Sequence, residues 1–237
     1  MNVFSCISDI KLIDPRSWQD KTFLTFDIDW AADFVVEPLI KLLEDSEIKA
    51  TWFVTHDTPL LKCLHENPNF ELGIHPNFNN LLNGNDKNGK NSKEVVLRLL
   101  ELVPQATAVR SHSMCQSSVL IELFNECGLT HDCNHFIPFR SNVECKPWLH
   151  WNGMVKVPYF WEDDIETMQP NKFDMTVPGS SKGLRVFDFH PIHTFLNTED
   201  LSRYEKSRFS HADSALLNRY INTNNDGSLT ALKRLIY

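Results

Sequence analysis

Carboxylates, imidazoles and a guanidinium stand at the ends of apolar runs in this chain. Asp27 and Asp29 follow TFLTF, and His75 follows FELGI. Arg110 follows ATAV and precedes Ser111-His112, while Asp188 and His190 close LRVFDFH, with His193 just beyond. Singly, such residues read as caps or surface groups; together they are the residue types of acid–base and metal chemistry. The spacing Asp27-Ile28-Asp29 is informative, because residues two apart on a strand point the same way. Two close carboxylates repel, so one protonates unless a cation lies between them. A bound metal ion resolves the conflict, with Asp29 as ligand and Asp27 left free as a base. His75 is the natural second ligand. Asn79 stands four residues on, where one helical turn returns it to the same ion. An amide oxygen is a weaker ligand for zinc than an imidazole.

These residues can meet only if their elements deliver them to one place. β-Branched and aromatic runs predict strands over Thr22–Ile28, Ile48–Val54, Phe70–His75, Ala106–Arg110, Val155–Tyr159 and Leu184–His190. Helical periodicity falls over Phe34–Asp45, Lys93–Leu102 and Ser117–Cys127, the last stopped by Gly128. Pro38 is tolerable only in a first turn. Strands alternating with helices predict an α/β fold with a parallel sheet, closed as a barrel. In such a barrel the C-terminal strand ends open on one face, where sites are built. Leu82–Ser92 reads as an exposed loop, and Pro170–Gly183 as irregular chain whose GSSKG lacks phosphate-loop spacing. The last forty or so residues, 198–237, read as a polar helical cover.

The 237 residues suit one domain spanning 1–237, with its motif-bearing core over 22–193. A hydrophobic fraction of 42% with 23% charged residues excludes a disordered chain and a membrane bundle. The net charge of −8 argues against nucleic acid or an anionic membrane surface as partner. The N-terminal region has no basic segment before an apolar run, and no stretch of about 20 apolar residues occurs, so no transmembrane segment and a cytoplasmic location are expected. The six cysteines include no Cys-x-x-Cys pair and are expected as free thiols. His131, Cys133 and His135 would share a face of a strand and could form a ligand trio; the plainer reading is a strand end with polar side chains. His-Glu-x-x-His is absent.

In this order and spacing the motifs resemble those of the polysaccharide deacetylases, the NodB-homology group or carbohydrate esterase family 4. Thr25-Phe26-Asp27-Ile28-Asp29 resembles the family's Thr-Phe-Asp-Asp, with Ile28 inserted. Lys49–Val54 resembles its second strand, and His75 to Asn79, after Glu71-Leu72-Gly73, resembles its His-x-x-x-His metal motif with Asn79 in place of the second His. Arg110-Ser111-His112-Ser113 stands at the Arg motif without its Pro-Pro-Tyr turn; Trp161-Glu162-Asp163-Asp164 and Val186–His190 stand at the last two motifs. The variant motifs are most similar to a subgroup associated with bacterial O-antigen and surface-polysaccharide gene clusters.

The resemblance implies a single distorted (β/α)7 barrel of the NodB type and one divalent metal ion, zinc by preference. It implies hydrolysis of an N-acetyl or related N-acyl group on a sugar or carrier-linked saccharide. Asp27 is then the base, oriented by Arg110; Asp29, His75 and Asn79 are the metal ligands; His190, in preference to His193, is the acid. Asp163 or Asp164 supports that imidazole, with Asp188 as a rival. His112 either completes the metal site or acts as a polar contact to substrate, and Trp161 is a candidate sugar-stacking residue. Deformylation or other amide hydrolysis on the same fold is an alternative, as is a carbohydrate-binding protein that has lost its metal.

Overall fold

The computed structural model describes residues 3–169 and 183–237. The GSSKG segment, apart from Gly183, therefore lies outside the described residues. The strands are β1 (Val3–Phe4), β2 (Lys21–Asp27), β3 (Ala50–Val54), β4 (Phe70–Ile74), β5 (Ala108–Val109), β6 (His131–Asp132), β7 (Trp148–Leu149), β8 (Val155–Lys156), β9 (Trp161–Glu162) and β10 (Arg185–Phe189). They form one sheet in the order β7-β8-β6-β5-β4-β3-β2-β10-β9, with β1 also paired to β2. Only β7 against β8 is antiparallel among these pairings. The α/β fold is thus a curled half-barrel sheet, and among the described residues its strand path has two free ends. Several of the described strands, β1, β5, β6, β7, β8 and β9, are only two residues long.

The long strands follow from composition. β2 is buried beyond Lys21, and all of β3 is buried. Strands covered on both faces read as continuous apolar runs, as these do. Gly73 in β4 is required by close approach: a Cβ there would lie 2.8 Å from the Phe53 ring and 2.9 Å from the Ala108 carbonyl oxygen. That contact sets the spacing of β4 just ahead of His75.

The predicted helices appear as Asp33–Asp45, Ser92–Leu102 and Ser118–Glu126. Pro38 corrects the expectation: it lies inside its helix and not in the first turn. The lost N–H bond is tolerated because Val35, Val36, Leu39, Ile40 and Leu43 bury that face. The 198–237 region contains helices Leu201–Ser207, Ser214–Leu217 and Ser228–Ile236. The last of these buries Ala231, Leu232 and Leu235 in the main core, which begins at Ile7. Among the described residues no helix is long and apolar enough to cross a membrane.

Candidate active site

Sheet order does the first work of assembly. β5, β4, β3, β2, β10 and β9 are neighbours in that order, so their C-terminal ends form one continuous rim. Asp27 is the last residue of β2 and is buried. Asp29 lies beyond the strand, at φ 38°, with Trp30 at φ 55°. The expectation that both carboxylates share a strand face is therefore corrected. The inserted Ile28 is buried, and the chain turns after it, Ala31 N–H donating to the Ile28 carbonyl at 2.8 Å. Left-handed backbone is uncommon for non-glycine residues, and Asp is one of those that tolerate it. The turn, anchored by Trp30 N–H on Thr55 Oγ1 at 3.1 Å, brings the Asp29 carboxylate to the histidines.

Three donors form a near-equilateral triangle. His75 Nε2 is 3.3 Å from Asp29 Oδ1, His112 Nδ1 is 3.2 Å from the same oxygen, and the two ring nitrogens are 3.3 Å apart. Tetrahedral ligands at bond lengths of about 2.0–2.1 Å lie about 3.3 Å from one another. Donor chemistry and spacing both fit a zinc-type ion: two imidazoles and a carboxylate, with a fourth position left over. Burial raises the Asp29 pKa, but hydrogen bonds to His112 and His75 outweigh it and hold the carboxyl well below its usual range.

His112 stands in this triangle, the position that one of its two sequence readings gave it. It is the third donor set beside Asp29 and His75 and stands where the sequence motif pointed to Asn79. Asn79 opens the short helix Asn79–Leu82, and its amide nitrogen donates to Ser113 Oγ at 3.1 Å. Asn79 thus braces the loop that carries His112.

Arg110 is fully buried between the rings of Phe53 and Tyr159, its guanidinium carbon 4.6 Å from each centroid. Nη1 donates to Asp27 Oδ1 at 3.0 Å and to Asp188, and Nη2 donates to Thr25 Oγ1 at 2.9 Å. One cation thus serves two carboxylates. Burial pushes Asp188 up to about 8 in spite of Arg110. The second Asp27 oxygen lies 3.3 Å from His75 Nδ1.

His190 follows β10 and opens the helix Pro191–Leu196. Its Nδ1 pairs with Asp163 Oδ1 at 2.9 Å, and its backbone N–H also meets Asp163. Ser228 Oγ, from the C-terminal helix, donates to the other Asp163 oxygen at 2.6 Å. Burial opposes a charge on His190, but the Asp163 hydrogen bond and the surrounding carboxylates hold its pKa well above the usual value. Its Nε2 lies 3.8 Å from Asp29 Oδ2, facing the triangle. Of the three carboxylates considered for His190, Asp163 makes the contact, Asp188 is committed to Arg110, and Asp164 lines the cavity. His193 is buried against Tyr204, with ring centroids 5.0 Å apart, and burial lowers its pKa.

A cavity of about 500 Å³ opens over these groups, lined by Asp29, Trp30, His112, Asp164, His190 and Tyr204 among others. Trp161 is not among them, and the sugar-stacking expectation is corrected. It is completely buried against Phe189 and Phe187, at centroid distances of 4.8 and 6.0 Å. Trp161→Ala is expected to cost about 3–5 kcal/mol of stability in urea titrations; a cost below about 1 kcal/mol would contradict a core role. The tryptophan that lines the cavity is Trp30, 44% exposed and edge-on to His112. The one signal for it in the chain was its place directly after Asp29. The 131–135 trio does not assemble: β6 is only His131–Asp132, His131 Nε2 donates to the Ile10 carbonyl at 3.2 Å, and Cys133 is buried. All six cysteines are free.

Residues 24–208 match the family model described as WbmS-like polysaccharide deacetylase. The crystal structure of a candidate polysaccharide deacetylase involved in O-antigen biosynthesis, WbmS of Bordetella bronchiseptica, is 47% identical, with a TM-score of 0.93 over 98% of this chain and 96% of that one. A Mycobacterium smegmatis protein of the same general description is 15% identical, with a TM-score of 0.47 over 100% of this chain and 94% of that one. No curated protein matches the chain.

Proposed function

The chain belongs to the WbmS-like polysaccharide deacetylases, and from that premise we propose that it is a metal-dependent hydrolase removing an N-acetyl group from a sugar in bacterial surface-polysaccharide (O-antigen) biosynthesis. The observation that carries the metal is the Asp29–His75–His112 triangle, with sides of 3.2 to 3.3 Å. A divalent ion held there, zinc by preference, would supply Lewis acidity to an amide carbonyl and lower the pKa of a bound water.

The chain's own groups do the proton work. Arg110 fixes Asp27 Oδ1, leaving Oδ2 to take the proton of the attacking water. The hydroxyl oxygen bonds to the carbonyl carbon, and the C–N bond breaks. His190, with Nδ1 committed to Asp163, delivers the proton on Nε2 to the departing nitrogen. The products are acetate and an amino sugar. Trp30 offers a face for the sugar ring. The substrate in this reading is a small or carrier-linked saccharide met in the cytoplasm, and a cavity of about 500 Å³ has room for a sugar unit.

The test is acetate release from N-acetylated sugars by zinc-loaded protein, read enzymatically or by NMR. Zinc-dependent acetate release from at least one N-acetylhexosamine derivative is expected. Formate release from N-formyl sugars with no acetate release would move the assignment to deformylation. Sugar binding with no turnover would move it to a binding protein.

A further inference from the structure

The segment His131–His135, which has no part in the reaction, lies under the loop that carries His112. Asn134 is fully buried, and its Oδ1 accepts the Ser111 N–H at 2.6 Å, one residue before His112. Its Nδ2 donates to Asp132 Oδ1 at 2.8 Å. The other Asp132 oxygen accepts from Lys156 Nζ at 2.9 Å. Lys156, buried at the end of β8, also donates to the Asn134 carbonyl at 3.0 Å and to Gln116 Oε1 at 2.9 Å. Ser111 and Gln116 bracket the His112 loop, so one network, buried except at Gln116, grips it at both ends.

That loop needs a grip. Ser113 and Met114 both have left-handed backbone, at φ 57° and 50°. Neither residue is one that favours this region. A loop held in such a conformation persists only where its surroundings over-determine it. Besides the network, His112 N–H donates to the Pro76 carbonyl at 3.0 Å, which ties the loop to the residue after His75. A buried Lys–Asp pair is weak evidence for stability but good evidence for a specified conformation when each polar atom has a partner. Here the lysine's three donors each have one.

We propose that Asn134, with Asp132 and Lys156 behind it, is a positioning residue that holds His112 in metal-binding geometry, a role resting on the metal assignment above. Groups that orient a metal ligand typically change affinity by about 10–100-fold when removed.

The experiment is zinc affinity of the full-length protein by competition with a chromophoric chelator, for wild type, Asn134→Ala, Lys156→Met and Gln116→Ala. Gln116 is exposed, so that variant is expected to fold if the buried ones do not. Affinity is expected to fall about tenfold or more in Asn134→Ala and Lys156→Met and severalfold in Gln116→Ala. Leu99→Ala, a core truncation in the helix Ser92–Leu102, is the control for general destabilisation and is expected to leave zinc affinity unchanged. Unchanged affinity in the network variants that fold, or an equal loss in Leu99→Ala, would overturn the positioning role while leaving the metal assignment in place. A wild type that binds no zinc would overturn both.

Discussion

Asp27→Asn protein is expected to keep one equivalent of zinc and to lose between about 10² and 10⁴ of its turnover, the usual contribution of a positioned base. The change is nearly isosteric. Arg110 can still donate to the remaining oxygen, and the Asp29–His75–His112 triangle does not include residue 27. What is lost is the basicity of the oxygen that Arg110 leaves free. The contact of 3.3 Å between that oxygen and His75 Nδ1 gives the experiment a second arm. Carboxylates behind metal-bound imidazoles fix their orientation and tautomer. If Asp27 acts only in that way, the variant loses zinc affinity, and turnover recovers when zinc is raised. Elemental analysis beside a turnover assay at saturating zinc separates the two. Full activity at saturating zinc would remove Asp27 as the base.

The second large effect concerns the third ligand. His112→Ala is expected to weaken zinc binding by roughly 10²–10³-fold, because a total of about 10–16 kcal/mol shared over four ligands is about 3 kcal/mol each. His75→Ala should do the same. Asn79→Ala is expected to stay within about tenfold of wild type, since its amide braces Ser113 and acts on the ion only through the loop. Chelator competition measures all three variants. Zinc retained in His112→Ala but lost in Asn79→Ala would restore the motif-based assignment and overturn the triangle.

The contrast between Asn79 and His112 marks the limit of local reasoning about this site. The His-x-x-x-His spacing describes one helical turn, and the structure does start a helix at Asn79. The donor that joins His75 comes instead from a loop 37 residues away. No periodicity within the chain could indicate it, because its position depends on β5 lying beside β4 and on the left-handed turn after Ser111. Asp163, Asp164 and Asp188 were equivalent on similar grounds. All three are acidic and near the last motifs, and only the packing of Ser228 and His190 around Asp163 distinguishes them. Trp161 misled for the opposite reason. Its acidic neighbours suggested a site, but strand alternation turned its ring into the core against Phe187 and Phe189.

By itself, the sequence determined the apolar runs that became β2, β3, β4 and β10, the parallel α/β class, and the reactive residues at the strand ends. It also determined the likeness to the deacetylase family, through motifs kept in order. These are properties of neighbouring residues, and burial on both faces of a strand leaves its mark in every stretch of chain that experiences it. The tertiary structure alone decided which third donor meets Asp29 and His75, which carboxylate holds His190, and which tryptophan faces the cavity. Each of those is a contact between distant segments, fixed to within an ångström by sheet order, left-handed turns and buried hydrogen bonds. A one-dimensional pattern carries no information at that scale.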